Sequence, residues 1–257
     1  MNKILYVFAA LAVMTSCADS YNVHGSSSVS ALDGSKLYLK TVKANELKAI
    51  DSCDVVHGEF HFAGLLDSVC MANLYMDDES IMPLVLEEGD IVIKIENGMQ
   101  SVSGTPLNDS LYKFIDRHNQ LSNRMTELSH RQSQMLLDGI DEATINRQLD
   151  AEAAQITADE DRLVTGFIVD NFDNVLGPGV FMMVTSQYRY PVLTPQIEDI
   201  MSKATRKFKE DPYVHEYYQT AQENEARMNG LQDDAPVMPD SVDVPHHAAP
   251  LTNLPQP

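Results

Sequence analysis

Three cysteines and eight histidines are the residues of this chain whose chemistry is easiest to name. Cys53 and Cys70 lie 17 positions apart in stretches that alternate apolar and polar residues. An electron-shuttling dithiol needs an accessible, low-pKa thiolate with its partner close by. No Cys-x-x-Cys pair occurs. If His57-Gly58 is a two-residue hairpin turn, Cys53 pairs with Phe62 and shares a core face with Val55 and Phe60. Cys70 alternates with Ala72, Leu74 and Met76, so it also points inward. With the Glu59–Gly64 strand between them, the two thiols stand about 9.6 Å apart. A disulfide needs Cα atoms within about 7 Å. Two buried thiols are the expectation, and a Cys53–Cys70 disulfide stays open as the alternative.

His57, Glu59 and His61 follow one another at every second position. Two imidazoles and a carboxylate on one strand face make a reasonable zinc set. Phe60 and Phe62 claim the opposite, core face, and His57 falls in the turn, so a solvated face is expected and no metal. His246-His247 lies in a segment with no framework to preorganise it. Asp138, Asp141, Glu142, Asp150, Glu152, Asp159, Glu160 and Asp161 form an acidic run of the kind that binds calcium or moves protons. Their spacing places them on the outer faces of helices, in water. His118 and Gln132 interrupt an apolar seam, where a polar residue sets register more often than it does chemistry. There is no Gly-x-Ser-x-Gly elbow, no phosphate-binding glycine loop and no HExxH. No catalytic residue and no cofactor site is expected, and the chain reads as a non-enzyme.

Cys17 belongs to a different pattern. Lys3 precedes an apolar run, Ile4 to Val13, of about ten residues, half of what a membrane-spanning helix needs. A basic start, a short apolar stretch and small residues Thr15 and Ser16 describe a secretory signal over residues 1–16. Met14-Thr15-Ser16-Cys17 resembles the lipobox of bacterial lipoproteins. The resemblance implies cleavage before Cys17, diacylglycerol on its sulfur and acylation of the new amine. Several acyl chains hold a protein on a membrane where one does not. The chain has 18 basic against 38 acidic residues, a net charge of −20. That balance excludes a nucleic-acid partner and any polybasic attraction to lipid headgroups. The membrane partner is therefore expected through Cys17 alone, in the cell envelope and on the outer membrane, on a face the sequence leaves open.

These residues need elements to hold them. After a spacer at residues 17–20, Tyr21 to Gly104 reads as short strands. Leu37-Tyr38-Leu39 and Ile91 to Ile95 alternate, and Val69 to Met76 is a longer candidate. Turn signals recur at Asp33-Gly34, His57-Gly58, Glu88-Gly89-Asp90 and Asn97-Gly98. About eight strands in an antiparallel β-sandwich are expected.

At Gly104 the period changes. Thr105-Pro106 is a helix start. From Leu107 through Leu111, Phe114, His118, Leu121, Met125, Leu128 and Gln132 to Met135, seam positions recur every three or four residues, as on a long amphipathic helix. Gly139 stops it, and a second helix carries Ile145, Leu149, Ile156, Leu163 and Phe167, making an αα-hairpin. Thr194-Pro195 and Asp211-Pro212 begin two shorter helices. Asn174 to Ser186 reads as a buried helix broken near Gly177-Pro178-Gly179. The fold class is thus α+β, with a sandwich over 21–104 and a helical domain over 105–230. Residues 231–257 hold six of the twelve prolines and are expected to be a disordered tail.

The order of parts resembles the β domain called domain of unknown function (DUF) 4369 in Bacteroidetes lipoproteins. Tyr21-x-Val23-x-Gly25, Asp51-Ser52 with Val55-Val56, and Gly58-Glu59-Phe60-His61-Phe62-x-Gly64 carry the resemblance. Glu87-x-Gly89, Val102-x-Gly104-Thr105 and Asn108 continue it, with Asn171 to Gly177 beyond. In that family a thioredoxin-like domain often follows, which this sequence lacks. The expected role is a lipid-anchored, non-enzymatic binding or envelope-assembly component with a protein or small-ligand partner. An accessory protein of a periplasmic thiol–disulfide system is the alternative.

Overall fold

The computed structural model describes residues 19–43 and 46–230. The signal segment, Cys17 and the proline-rich tail with His246-His247 lie outside the described residues. Eight strands come first: β1 (Ser20–Ser27), β2 (Lys36–Lys43), β3 (Glu46–Asp54), β4 (Glu59–Leu65), β5 (Cys70–Met76), β6 (Glu79–Leu86), β7 (Gly89–Glu96) and β8 (Met99–Ser103). Helices follow: α1 (Pro106–Leu137), α2 (Glu142–Asp170), α3 (Leu176–Thr185), α4 (Pro195–Lys203), α5 (Arg206–Lys209) and α6 (Pro212–Met228). The fold is α+β, as the patterning implies.

The strands form two four-stranded sheets, ordered β4-β1-β7-β8 and β3-β2-β5-β6. Alternation decides what is buried. Ile91, Ile93 and Ile95 of β7 face inward while Lys94 and Glu96 face water. Leu37 and Leu39 of β2, Leu74 of β5 and Phe62 of β4 meet them in the core. One pairing corrects the all-antiparallel expectation: β1 and β7 run parallel, with Val23 opposite Ile91. Parallel neighbours need a long crossover, and the intervening strands supply it.

The β3–β4 connection is a second correction. His57 and Gly58 do form a tight turn, with φ of 54° and 76°. Both angles lie in the left-handed region that a two-residue I′ turn requires. Val56 and Glu59 bridge across it, and there the pairing stops. β3 joins β2, placing Cys53 opposite Leu37 rather than Phe62. β4 joins β1, with Gly25 opposite Phe60 and Tyr21 opposite Gly64. The reason is steric. A Cβ on Gly25 would lie 2.0 Å from the Phe60 ring, and one on Gly64 would lie 2.7 Å from the Tyr21 hydroxyl. Each glycine leaves the space its facing aromatic ring fills, so β1 is the strand that accepts β4.

The helices pack onto the sandwich, and one continuous core runs through both, from Val23 and Leu84 to Ile168, Phe181 and Tyr217. Met71 of β5 sits where a Cβ on Gly179 of α3 would be, 2.6 Å away. Gly177-Pro178-Gly179 therefore does not break a helix. It lies in the first turn of α3, where proline is tolerated and small residues allow close approach. The α1–α2 turn closes as expected at Gly139, φ 78°. Ile140 N–H donates to Met135 O and Gly139 N–H to Leu136 O, both at 3.1 Å, the paired bonds of a Schellman end. On α2 the buried stripe ends in Val164 and Ile168, one position beyond the expected Leu163 and Phe167, which are half-buried. The outer half of the hairpin has its own small core of Leu128, Ile145 and Leu149.

Candidate functional site

The polar groups that bear on function are those of the joint between sandwich and helices, the two separate thiols, and the outer face of the β4-β1-β7-β8 sheet.

At the joint, Thr105 is the residue before α1, but its side chain does not cap the helix backbone. Glu87, on the β6–β7 connection, does so instead. Its Oε1 accepts from Leu107 N–H at 2.8 Å and from Asn108 N–H at 3.0 Å. A carboxylate there also meets the positive end of the helix dipole. Asn108 is fully buried. Its Nδ2 donates to Val85 O and Thr105 Oγ1, each at 2.8 Å, and its Oδ1 accepts from Val85 N–H at 2.8 Å. Val85 lies on β6, an edge strand, whose outward backbone groups have no neighbouring strand. One turn further along α1, Tyr112 donates its hydroxyl to Pro83 O at 2.9 Å. Asn108 and Tyr112 therefore occupy the place of a missing strand. Gly89 and Gly104 complete the joint. Gly104 has φ 99°, and a Cβ there would lie 2.4 Å from Asp90 O. Glu87, Gly89, Gly104, Thr105 and Asn108, which carry part of the family resemblance, are thus spent on architecture.

Cys53 and Cys70 are free thiols, both half-buried against the core. The strand between theirs is β2, not β4. Leu37 pairs with Cys53 on one side and with Met76 on the other, and Cys70 is at the far end of β5 from Met76. Six residues of strand at about 3.3 Å each set the thiols roughly 20 Å apart along the sheet, far beyond disulfide reach. Burial pushes both thiols above the ordinary cysteine value. Thr41 and Lys43 oppose the shift at Cys70, as a backbone contact with His61 does at Cys53.

His57, Glu59 and His61 form no group on the outer sheet face, in keeping with the expected solvated face. His57 is in the turn, and the imidazole facing His61 belongs to His24 on β1. His24 and His61 are direct cross-strand partners, with ring centroids 4.9 Å apart. Both reach the carboxamide of Asn22. His61 Nε2 lies 2.5 Å from Asn22 Oδ1, and Asn22 Nδ2 lies 2.7 Å from His24 Nε2. The same Nδ2 donates to Asp90 Oδ1 at 2.7 Å. Asn22 Nδ2 has only protons to give, so His24 Nε2 is the bare, accepting nitrogen and His61 Nε2 carries a proton. The signal for this cluster is Asn22-x-His24 read in register with His61 across a ladder, and register is what sequence spacing alone does not supply.

Of the acidic run, Asp138, Asp141, Glu142, Asp150 and Asp161 are exposed, while Glu152, Asp159 and Glu160 are half-buried, and several are engaged locally. Asp141 accepts from the Thr144 hydroxyl at 2.7 Å and caps α2 through Thr144 N–H at 3.0 Å, and the two bonds, the hydroxyl's first, hold its carboxyl below the usual range. Glu152 pairs with Arg131 and Asp159 with Arg162. Gln132 is exposed, so it does not interrupt the seam from within. His118 is inside the hairpin with Nε2 3.2 Å from Glu160 Oε1. Burial pushes its pKa below the ordinary imidazole value, and Glu160 pulls the other way. Since burial wins, the contact is a neutral N–H donating to a carboxylate. His118 Nδ1 has no hydrogen-bond partner among the described residues.

Among the described residues no three His, Cys, Asp or Glu groups are gathered ready to hold a metal ion. No helix there is long and apolar enough to cross a membrane. A family model described as Domain of unknown function (DUF4369) matches residues 21–111. The match runs past β8 into α1 and so includes both sides of the joint. No curated protein matches the chain.

Proposed function

We propose that this chain is a lipid-anchored protein of the bacterial cell envelope that acts by binding or assembly rather than by catalysis. The observation that carries the reading is the segment ending in Thr15-Ser16-Cys17, with Lys3 and the short apolar run before it. Only Ala18 and Asp19 separate Cys17 from the start of β1 at Ser20. A tether of three Cα–Cα steps spans about 11 Å at most, so a lipid on Cys17 holds the sandwich directly at the bilayer surface. Support for a non-catalytic role is chemical. The buried polar side chains of the joint are satisfied by one another and by backbone, and the two thiols are too far apart to act as a pair. The outer membrane is the destination this reading assigns.

The test is fractionation. Cys17→Ser should leave the precursor unlipidated and move the protein out of the membrane fraction. Unchanged detergent partitioning of that variant would contradict the anchor.

A further inference from the structure

The histidine pair on the outer sheet face has a geometry that solvation alone does not require. His24 Nε2, His61 Nε2 and Asp90 Oδ1 converge on one small group, the Asn22 carboxamide, at 2.7, 2.5 and 2.7 Å. His24 and Asp90 meet the amide nitrogen and His61 meets its oxygen, so groups from three adjacent strands bracket the carboxamide without closing on one point while it is in place. His24, His61 and Asp90 are exposed, so a ligand can reach them.

We propose that the His24–His61 pair is a binding site for a divalent cation of the zinc and copper class. Asp90 is the carboxylate nearest to hand, and the Asn22 amide holds the ligands in the absence of the ion. Imidazole nitrogen suits these borderline cations, whereas calcium and magnesium demand oxygen ligands. The protonation states fit. His24 Nε2 already presents a lone pair toward the centre. His61 needs only to move its proton from Nε2 to Nδ1, so its tautomer changes and no proton need be released. Asn22 then rotates its head away, and the cation takes the place of the amide, with ligand distances of about 2.0–2.2 Å and water in the remaining positions. The strongly negative chain favours any cation's approach. This inference does not depend on lipid attachment, and its test is run on protein that lacks it.

The experiment is calorimetric titration of zinc chloride into the full chain carrying Cys17→Ser. One saturable site is expected, lost or weakened at least about tenfold by His24→Ala and by His61→Ala. His57→Ala and the His246→Ala/His247→Ala double variant should bind as the parent does. Asn22→Ala removes the competing amide and should bind at least as tightly. Imidazole nitrogen NMR of the loaded parent should show two metal-bound Nε2 atoms. His24, His57 and His61 are exposed, and an unchanged melting temperature for each variant establishes that the fold is intact. Binding retained in either the His24 or the His61 variant overturns the proposal, as does an absence of saturable zinc uptake by the parent.

Discussion

The carboxamide of Asn108 lies flat against the backbone of Val85, giving one hydrogen bond and taking one, both at 2.8 Å. A helix side chain thereby completes the edge of a sheet. The arrangement makes the first turn of α1 part of the sandwich, and it explains why a β-domain family match extends to residue 111.

Removing that carboxamide should be costly. Asn108→Ala strands the N–H and C=O of Val85 in the protein interior, and unpaired buried groups cost about 1–3 kcal/mol each. Asn108→Asp keeps the acceptor but cannot donate to Val85 O, and it sets a second carboxylate beside Glu87. Both variants should lose about 2–4 kcal/mol in urea unfolding. Glu87→Ala removes the cap and should lose about 1–2 kcal/mol. A loss below about 0.5 kcal/mol for Asn108→Ala would show that the joint is not holding the two parts together.

The glycine–aromatic pairs of β1 and β4 give a second expectation. Gly25→Ala sets a Cβ inside the Phe60 ring volume and should destabilise by about 1–3 kcal/mol through overpacking. Combined with Phe60→Leu, which vacates that volume, the two losses should sum to more than the double variant shows. Strict additivity would mean that the ring does not occupy the glycine's place.

Third, the thiols should be inert. Burial raises both pKa values, and the thiolate is the reactive form. Native protein should react slowly with a thiol-specific disulfide reagent at neutral pH, and urea should restore the rate of an ordinary cysteine. It should also fail to catalyse reduction of insulin by dithiothreitol. Catalysis abolished by Cys53→Ala or Cys70→Ala would overturn both the burial argument and the non-enzymatic reading.

Fourth, His118 should make the helical hairpin sensitive to acid. Its folded pKa lies below the ordinary 6.5, so the unfolded chain binds more protons as pH falls. The stability it protects is fully present above about 6.5 and is lost as pH drops through the folded value. Thermal unfolding between pH 7.5 and 5 should fall less steeply in His118→Gln than in the parent. Identical slopes would show that His118 does not carry the effect.

Local signals were legible in the sequence wherever the physics is local. Thr194 and Asp211 cap their helices through the N–H of Ile197 and of Tyr213 and Val214, as their types imply. Gly139 ends α1 because left-handed backbone suits glycine. Long-range pairing was not legible. Nothing near Glu87 in the chain says that it caps a helix starting some 20 residues later, displacing Thr105. The His57-Gly58 turn reads as a hairpin, whereas the fits of Phe60 against Gly25 and of Tyr21 against Gly64 go with β4 pairing in another sheet. His24 carries no local signal for the same reason, since its partner His61 becomes a neighbour only through the ladder.

Lipidation of Cys17 is read most directly from the intact mass of the mature protein recovered from membranes, with its N-terminal peptide sequenced by fragmentation. A lipid anchor requires a chain beginning at Cys17, with a diacylglycerol thioether on the sulfur and an acyl group on the amine. A mature chain that begins elsewhere, or whose Cys17 is an unmodified thiol, would contradict it.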